Sequence, residues 1–185
     1  MAKFERVKRF EGDESVILPA RATANSAGYD LYVAEDIVVP SLFAEEINWS
    51  FNKVMGDSVF SHTAYDLKET ESKIKSKNLR PTLVSTGVKC KLDPDTYLEI
   101  SVRSSTPLKY LLILANGEGI IDADYYENPD NDGEIFLQLI NLGPNPVLLR
   151  KGDRIGQGII KPYLTTEDDV ATGERIGGLG STSSV

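Results

Sequence analysis

The sequence predicts an all-β domain, a barrel or sandwich of short antiparallel strands interrupted by one helical insertion. Three observations carry that reading: short apolar or alternating runs recur along the chain, turn residues separate them, and one block from 41 to 78 changes the period. With 185 residues and 41% hydrophobic content, the chain has enough apolar surface for one globular domain.

In chain order the runs are "SVILPA", "DIVVP", "TLVSTGVKCKL", "YLEISVR", "LLILA", "EIFLQLINL", "PVLLR" and "RIGQGIIKPYL". In "YLEISVR", Leu98, Ile100 and Val102 alternate with Tyr97, Glu99 and Ser101, the period of a strand with one buried face. "DPD", "GPNP" and "KGD" separate the runs, because Pro fixes φ while Asp, Asn and Gly favour reversals. Between Ser41 and Asn78, Phe43, Ile47, Phe51, Val54 and Met55 fall near helical spacing and predict two short helices joined around Met55 to Ser61. Trp49 reads there as a packing residue and the lone histidine, His62, as a surface one; one imidazole makes neither a triad nor a zinc site. Residues 173–185 are glycine-rich and nearly core-free. They read as a tail, or as an arm whose backbone N–H groups and hydroxyls wrap phosphate oxygens.

The formal net charge of −8 argues against general attraction to a nucleic-acid backbone. It leaves room for a polyanionic small ligand where arginines and backbone N–H groups cluster. No apolar run approaches a membrane span and the N-terminal stretch lacks the core of a secretory signal, so the chain reads as cytoplasmic, with no membrane partner. Cys90 has no disulfide partner and reads as a small packed residue on a strand.

The stretch "GIIDADYYENPDNDGE", Gly119 to Glu134, is the richest in chemistry. Asn128, Asp130, Asp132 and Gly133 match the opening of a calcium loop, but Leu139 stands where a bidentate Glu is needed. "NPDNDG" is therefore read as a turn. Asp122 and Asp124 follow Ile120 and Ile121, and on a continuing strand both carboxylates would face one side. Such a carboxylate can take a proton from water or hold a hydrated ion.

Five segments in order resemble the five motifs of the trimeric dUTP diphosphatase (dUTPase) family: "AGYDL" (27–31), "RSST" (103–106), "NGEGIIDADY" (116–125), "GDRIGQ" (152–157) and "RIGGLGST" (175–182). "DYYENPDNDGEIF" is similar to a variant of some Gram-positive bacteria and their phages, with extra residues between the tyrosine and the Gly-Glu pair. The resemblance implies a β jelly roll (β-clip) assembled as a homotrimer with shared active sites. Residues 1–172 would form the β domain, with the helical insertion at about 41–78, and residues 173–185 an arm closing over the site. The implied reaction is Mg²⁺-dependent hydrolysis of dUTP to dUMP and pyrophosphate, in a bacterial or phage-infected cytosol.

The same resemblance assigns roles. Asp122 matches the base that activates the water attacking the α-phosphorus, and Tyr125 the aromatic whose ring excludes a 2′-hydroxyl. Asn116 and the backbone at Ile120 and Ile121 match the uracil-reading hairpin. Arg103, Ser104, Ser105 and Gln157 match phosphate-contacting positions. Asp30 matches an acid near the water shell of Mg²⁺, the ion being held mainly by the triphosphate. Arg175, Leu179, Gly180, Ser181 and Thr182 match the closing arm. Two departures stand out: Leu179 replaces a common aromatic, and Arg175 lies one residue closer to the glycine pair than in the commonest wording. A dCTP deaminase of the same fold would need a glutamate where Gln138 stands, and an amide is no base. A regulatory, phage-type signalling member would use the 41–78 insertion to dock a protein partner.

Overall fold

Strand β7 (Thr96–Val102) buries Leu98 and Ile100 and turns the residues between them toward the other face, as its period-two pattern predicts. The computed structural model describes residues 1–43, 80–173, 175, 177 and 178. In it β7 lies within a five-stranded antiparallel sheet, ordered β2 (Ala20–Arg21), β3 (Tyr29–Tyr32), β12 (Arg154–Pro162), β7 and β9 (Gly119–Ile121). A second sheet orders β5 (Thr82–Ser85), β10 (Phe136–Asn141) and β8 (Leu112–Leu114). Two-stranded ribbons pair β4 (Ile37–Val39) with β11 (Val147–Leu149) and β1 (Lys3–Arg6) with β6 (Val88–Lys91). This is the all-β jelly-roll architecture expected, with one short helix among the described residues.

The sheets share a core in which Leu31, Leu98, Ile100 and Ile155 of the larger sheet meet Leu112, Leu137 and Leu139 of the smaller. They approach closely at Gly156 of β12, where a Cβ would stand 2.5 Å from Leu137 Cδ2. The glycine of "RIGQ" is thus a packing requirement between layers.

Several local expectations change. "SVILPA" forms no ladder until Ala20: Val16 N–H closes a turn onto the Asp13 carbonyl, and Pro19 has no N–H to donate. "TLVSTGVKCKL" divides into β5 and β6 at Thr86 and Gly87. Strand β1 was hidden by its charges, since Phe4 alone marks it as apolar; it pairs Phe4 with Cys90. Helix α1 (Ser105–Tyr110) was not expected either. It tolerates Pro107 in its first turn and ends at Leu111, left-handed at φ 53°, whose N–H bonds back to the Pro107 carbonyl. The predicted helices of the insertion, with Ile47, Trp49, Phe51, Val54, Met55 and His62, lie outside the described residues.

Candidate active site

Three adjacent strands build the first cluster. Asp30 on β3 is the register partner of Gln157 on β12, and Gln157 is the partner of Ser101 on β7. Gln157 Nε2 donates to Ser101 Oγ at 3.2 Å. Just beyond the end of β7, Arg103 donates from its backbone to the Ile155 carbonyl, and its Nε lies 2.9 Å from Asp30 Oδ1. Arg154 meets the other oxygen of Asp30 at 3.3 Å. Asp30 is buried, and both of its oxygens are engaged by guanidinium groups. Arg154, three residues before Gln157 on the same strand, is thus an ion-pair partner of Asp30.

After Arg103 the chain turns at once into α1. Ser104 is exposed and makes no side-chain cap bond, Ser105 is half-buried, and Thr106 anchors the turn by donating to the Ile155 carbonyl at 2.9 Å. An arginine and two small hydroxyl residues are thereby presented at one rim of the sheet.

The second cluster gathers at the far end of β9. Asn116 lies in the exposed turn that leads into β9, and β9 pairs Gly119, Ile120 and Ile121 with Ile100, Glu99 and Leu98 of β7. The strand stops at Ile121. Asp122 and Asp124 do not share a strand face as expected: Asp122 precedes a 3-10 turn over Ala123–Tyr125, closed by Tyr125 N–H to the Asp122 carbonyl. The two carboxylates nevertheless converge on one group. Arg175 bonds Asp122 through Nη2 and Asp124 through Nε, the latter at 2.7 Å.

Asp122 keeps half of its side-chain surface, 50%, open to solvent, whereas Tyr125 is only 6% exposed. The Tyr125 hydroxyl bonds the Glu134 carbonyl at 2.9 Å, and burial pushes its phenol above the ordinary value, with the Glu134 charge adding to the effect. The carboxylate of Glu134 is itself buried and held by two N–H groups of Arg9 at 2.7 and 2.9 Å. Sequence reasoning missed that anchor, since the partners stand 125 positions apart.

The two clusters do not meet within one chain. Asp122 follows the residue opposite Leu98 and so falls at the level of Tyr97, while Arg103 lies just beyond the other end of β7, a backbone separation on the order of 20 Å. Leu179, Gly180, Ser181 and Thr182 lie outside the described residues. Among the described residues no group of three or more His, Cys, Asp or Glu side chains converges to hold an ion. Asp30, the acid matched to the water shell of an ion, is here taken up by two arginines.

Comparison with known proteins gives a consistent picture. A family model described as dUTPase matches residues 59–183. The deoxyuridine 5'-triphosphate nucleotidohydrolase of Lactococcus lactis is 33% identical over 181 residues, covering 97% of this chain and 95% of the relative. That of Caulobacter vibrioides is 30% identical over 185 residues, covering 96% and 92%. The crystal structure of dUTPase from Streptococcus mutans superimposes with a TM-score of 0.65 at 34% identity, covering 89% of this chain and 98% of that one. The dUTPase of phage phi11 of S. aureus, at 15% identity and TM-score 0.60, shares the fold.

Proposed function

The chain belongs to the dUTPase family, and on that premise we propose that it is a dUTP diphosphatase hydrolysing Mg²⁺-loaded dUTP to dUMP and pyrophosphate as a homotrimer. The observation that carries the reading is the second cluster, where a half-exposed carboxylate, Asp122, stands at the mouth of a turn that buries the ring of Tyr125. A fixed carboxylate open to water is what general-base attack on phosphorus requires. A buried ring beside it supplies a wall against a 2′-hydroxyl.

The backbone of β9 and the Asn116 turn read the base. Polar edges that pair with uracil O4 and N3–H leave a cytosine amino group unpaired. Arg103, Ser104, Ser105 and Gln157 receive the phosphates, and Asp30 aims Arg103 by its ion pair with Nε. Mg²⁺ travels with the triphosphate and supplies charge neutralisation there. In the free chain Arg175 covers Asp122; a triphosphate competes for that guanidinium and frees the carboxylate for its water. Leu179, Gly180, Ser181 and Thr182 complete the arm.

The distance between the clusters supports the trimer. An α-phosphorus cannot touch Asp122 and Arg103 of one chain at once, whereas a neighbouring copy can bring its Arg103 rim to this hairpin. The product dUMP would then serve dTMP synthesis and the reaction would limit uracil in DNA, a role that suits a bacterial or phage-infected cytosol. No helix among the described residues is long and apolar enough to cross a membrane.

The test is pyrophosphate release from dUTP, dTTP, dCTP and UTP with Mg²⁺, for the wild type and Asp122→Asn. Turnover confined to dUTP and reduced by about 10²–10⁴-fold in the variant is the expected result. A folded trimer without dUTP turnover would overturn the reading.

A further inference from the structure

The turn from Tyr126 to Gly133, a solvated reversal by its sequence, wraps around the phenol of Tyr125. Asn131 Oδ1 accepts from two donors, the Gly133 backbone N–H at 3.1 Å and Asn128 Nδ2 at 2.8 Å. Those donors settle which end of the amide is which: the other end is Nδ2, a donor, and it lies 2.7 Å from the Tyr125 hydroxyl. The hydroxyl therefore accepts from Asn131 and gives its one proton to the Glu134 carbonyl. Asn128, itself buried, is fixed in the same way. Its Oδ1 accepts from the backbone N–H groups of Asp130 and Asn131, and its Nδ2 also reaches the Tyr125 carbonyl at 3.0 Å.

The turn has no slack. Gly133 has φ +78°, and a Cβ there would stand 2.8 Å from the Tyr125 carbonyl oxygen. From outside, Lys89 bonds Glu127 and Asp132, and Arg9 grips Glu134. Two groups of this shell, Asn131 Nδ2 and the Glu134 carbonyl, meet at the phenol oxygen.

We propose that Asn131, held by Asn128, is a specificity-determining positioning residue that locks the Tyr125 ring in the orientation excluding a 2′-hydroxyl. The inference rests on the dUTP reading and adds a residue outside the five motifs. A ring on a short 3-10 turn turns about two side-chain torsions, and opposed hydrogen bonds at its far end remove that freedom. Without the amide donor the wall tilts, and sugar discrimination falls before the proton transfer at Asp122 does.

The experiment measures kcat and KM for dUTP and UTP in the wild type, Asn131→Ala, Asn131→Asp, Tyr125→Phe, and Asn131→Ala combined with Tyr125→Phe. Circular dichroism and sedimentation report fold and assembly. In Asn131→Ala the dUTP:UTP ratio of kcat/KM falls about tenfold, chiefly through KM, the scale of one lost hydrogen bond. Added to Tyr125→Phe, which lacks the hydroxyl, the same substitution changes the ratio by less than about twofold. An unchanged ratio in folded Asn131→Ala, or an equal fall on top of Tyr125→Phe, overturns the positioning role. If the alanine variant does not fold, Asn131→Asp keeps the oxygen that ties the turn and puts an acceptor in place of the donor to the phenol, and its ratio decides on the same terms. A discriminating wild type matched by its Asn131 variants overturns this role alone; a wild type unable to hydrolyse dUTP overturns both readings.

Discussion

Asp30→Ala removes a buried carboxylate from between two guanidinium groups and separates two accounts of this residue. At 2.9 Å from Arg103, and with an effective dielectric of about 20, the pair attracts by roughly 4–6 kcal/mol before desolvation. Asp30 is 7% exposed, so most of that gain offsets lost hydration. Breaking a fully buried pair costs about 3–5 kcal/mol. Arg103 and Arg154 keep 27% and 50% of their side-chain surface and rehydrate in part, which brings the expected loss to about 2 kcal/mol. Arg103 also loses its aim, and a displacement near 1 Å costs about 10²-fold in kcat/KM. The assays are thermal unfolding and steady-state pyrophosphate release from dUTP across a Mg²⁺ series, for Asp30→Ala, Arg103→Ala and the double variant. If Asp30 acts by aiming Arg103, the two activity losses are far from additive and raised Mg²⁺ restores little. Additive losses, or recovery with Mg²⁺, would refute the aiming role and return Asp30 to the water shell of the ion.

Three further outcomes follow from packing and charge. Gly156→Ala drives a methyl group into Leu137, a core side chain with no exposed surface, and lowers stability by about 1–3 kcal/mol in a urea titration. Burial pushes the Cys90 thiol up to about 12, so it stays inert to a thiol reagent in the native protein and reacts only after unfolding. Burial pushes the Asp132 carboxyl up, but the Lys8 backbone N–H and the Lys89 ammonium pull it below the ordinary aspartate value of 3.8. A carboxyl depressed in the folded state adds stability above that ordinary value and loses it as pH falls through the folded one. The wild type is therefore more stable than Asp132→Asn at pH about 6, and thermal melts show the gap closing below pH about 4.

How much of this was legible in the sequence depends on the range over which each property is decided. The alternation in "YLEISVR" predicted β7 with its buried face, because side-chain direction in a strand is set by the residue count alone. The motif segments named Asp30, Arg103, Asp122, Tyr125 and Gln157, because a chemistry demands residue types wherever the chain places them. Charged β1 and α1 after "RSS" escaped, since local preference is weak where pairing or a single proline in the first turn decides the element.

Partnership was beyond the sequence. Arg9 with Glu134, and Arg154 with Asp30, are joined across more than a hundred residues, and no local pattern marks them. The sequence by itself determined an all-β chain, its turns, and the residue types of a nucleotide hydrolase. Tertiary structure alone decided that Asp30 holds arginines, that one chain keeps Asp122 and Arg103 apart, and that Asn131 of "NPDNDG" donates to a phenol while Asn128 ties the turn. The physical reason is that a polar side chain becomes a solvated surface group or a fixed partner only when the burial around it, contributed by distant segments, removes the water that would otherwise satisfy it.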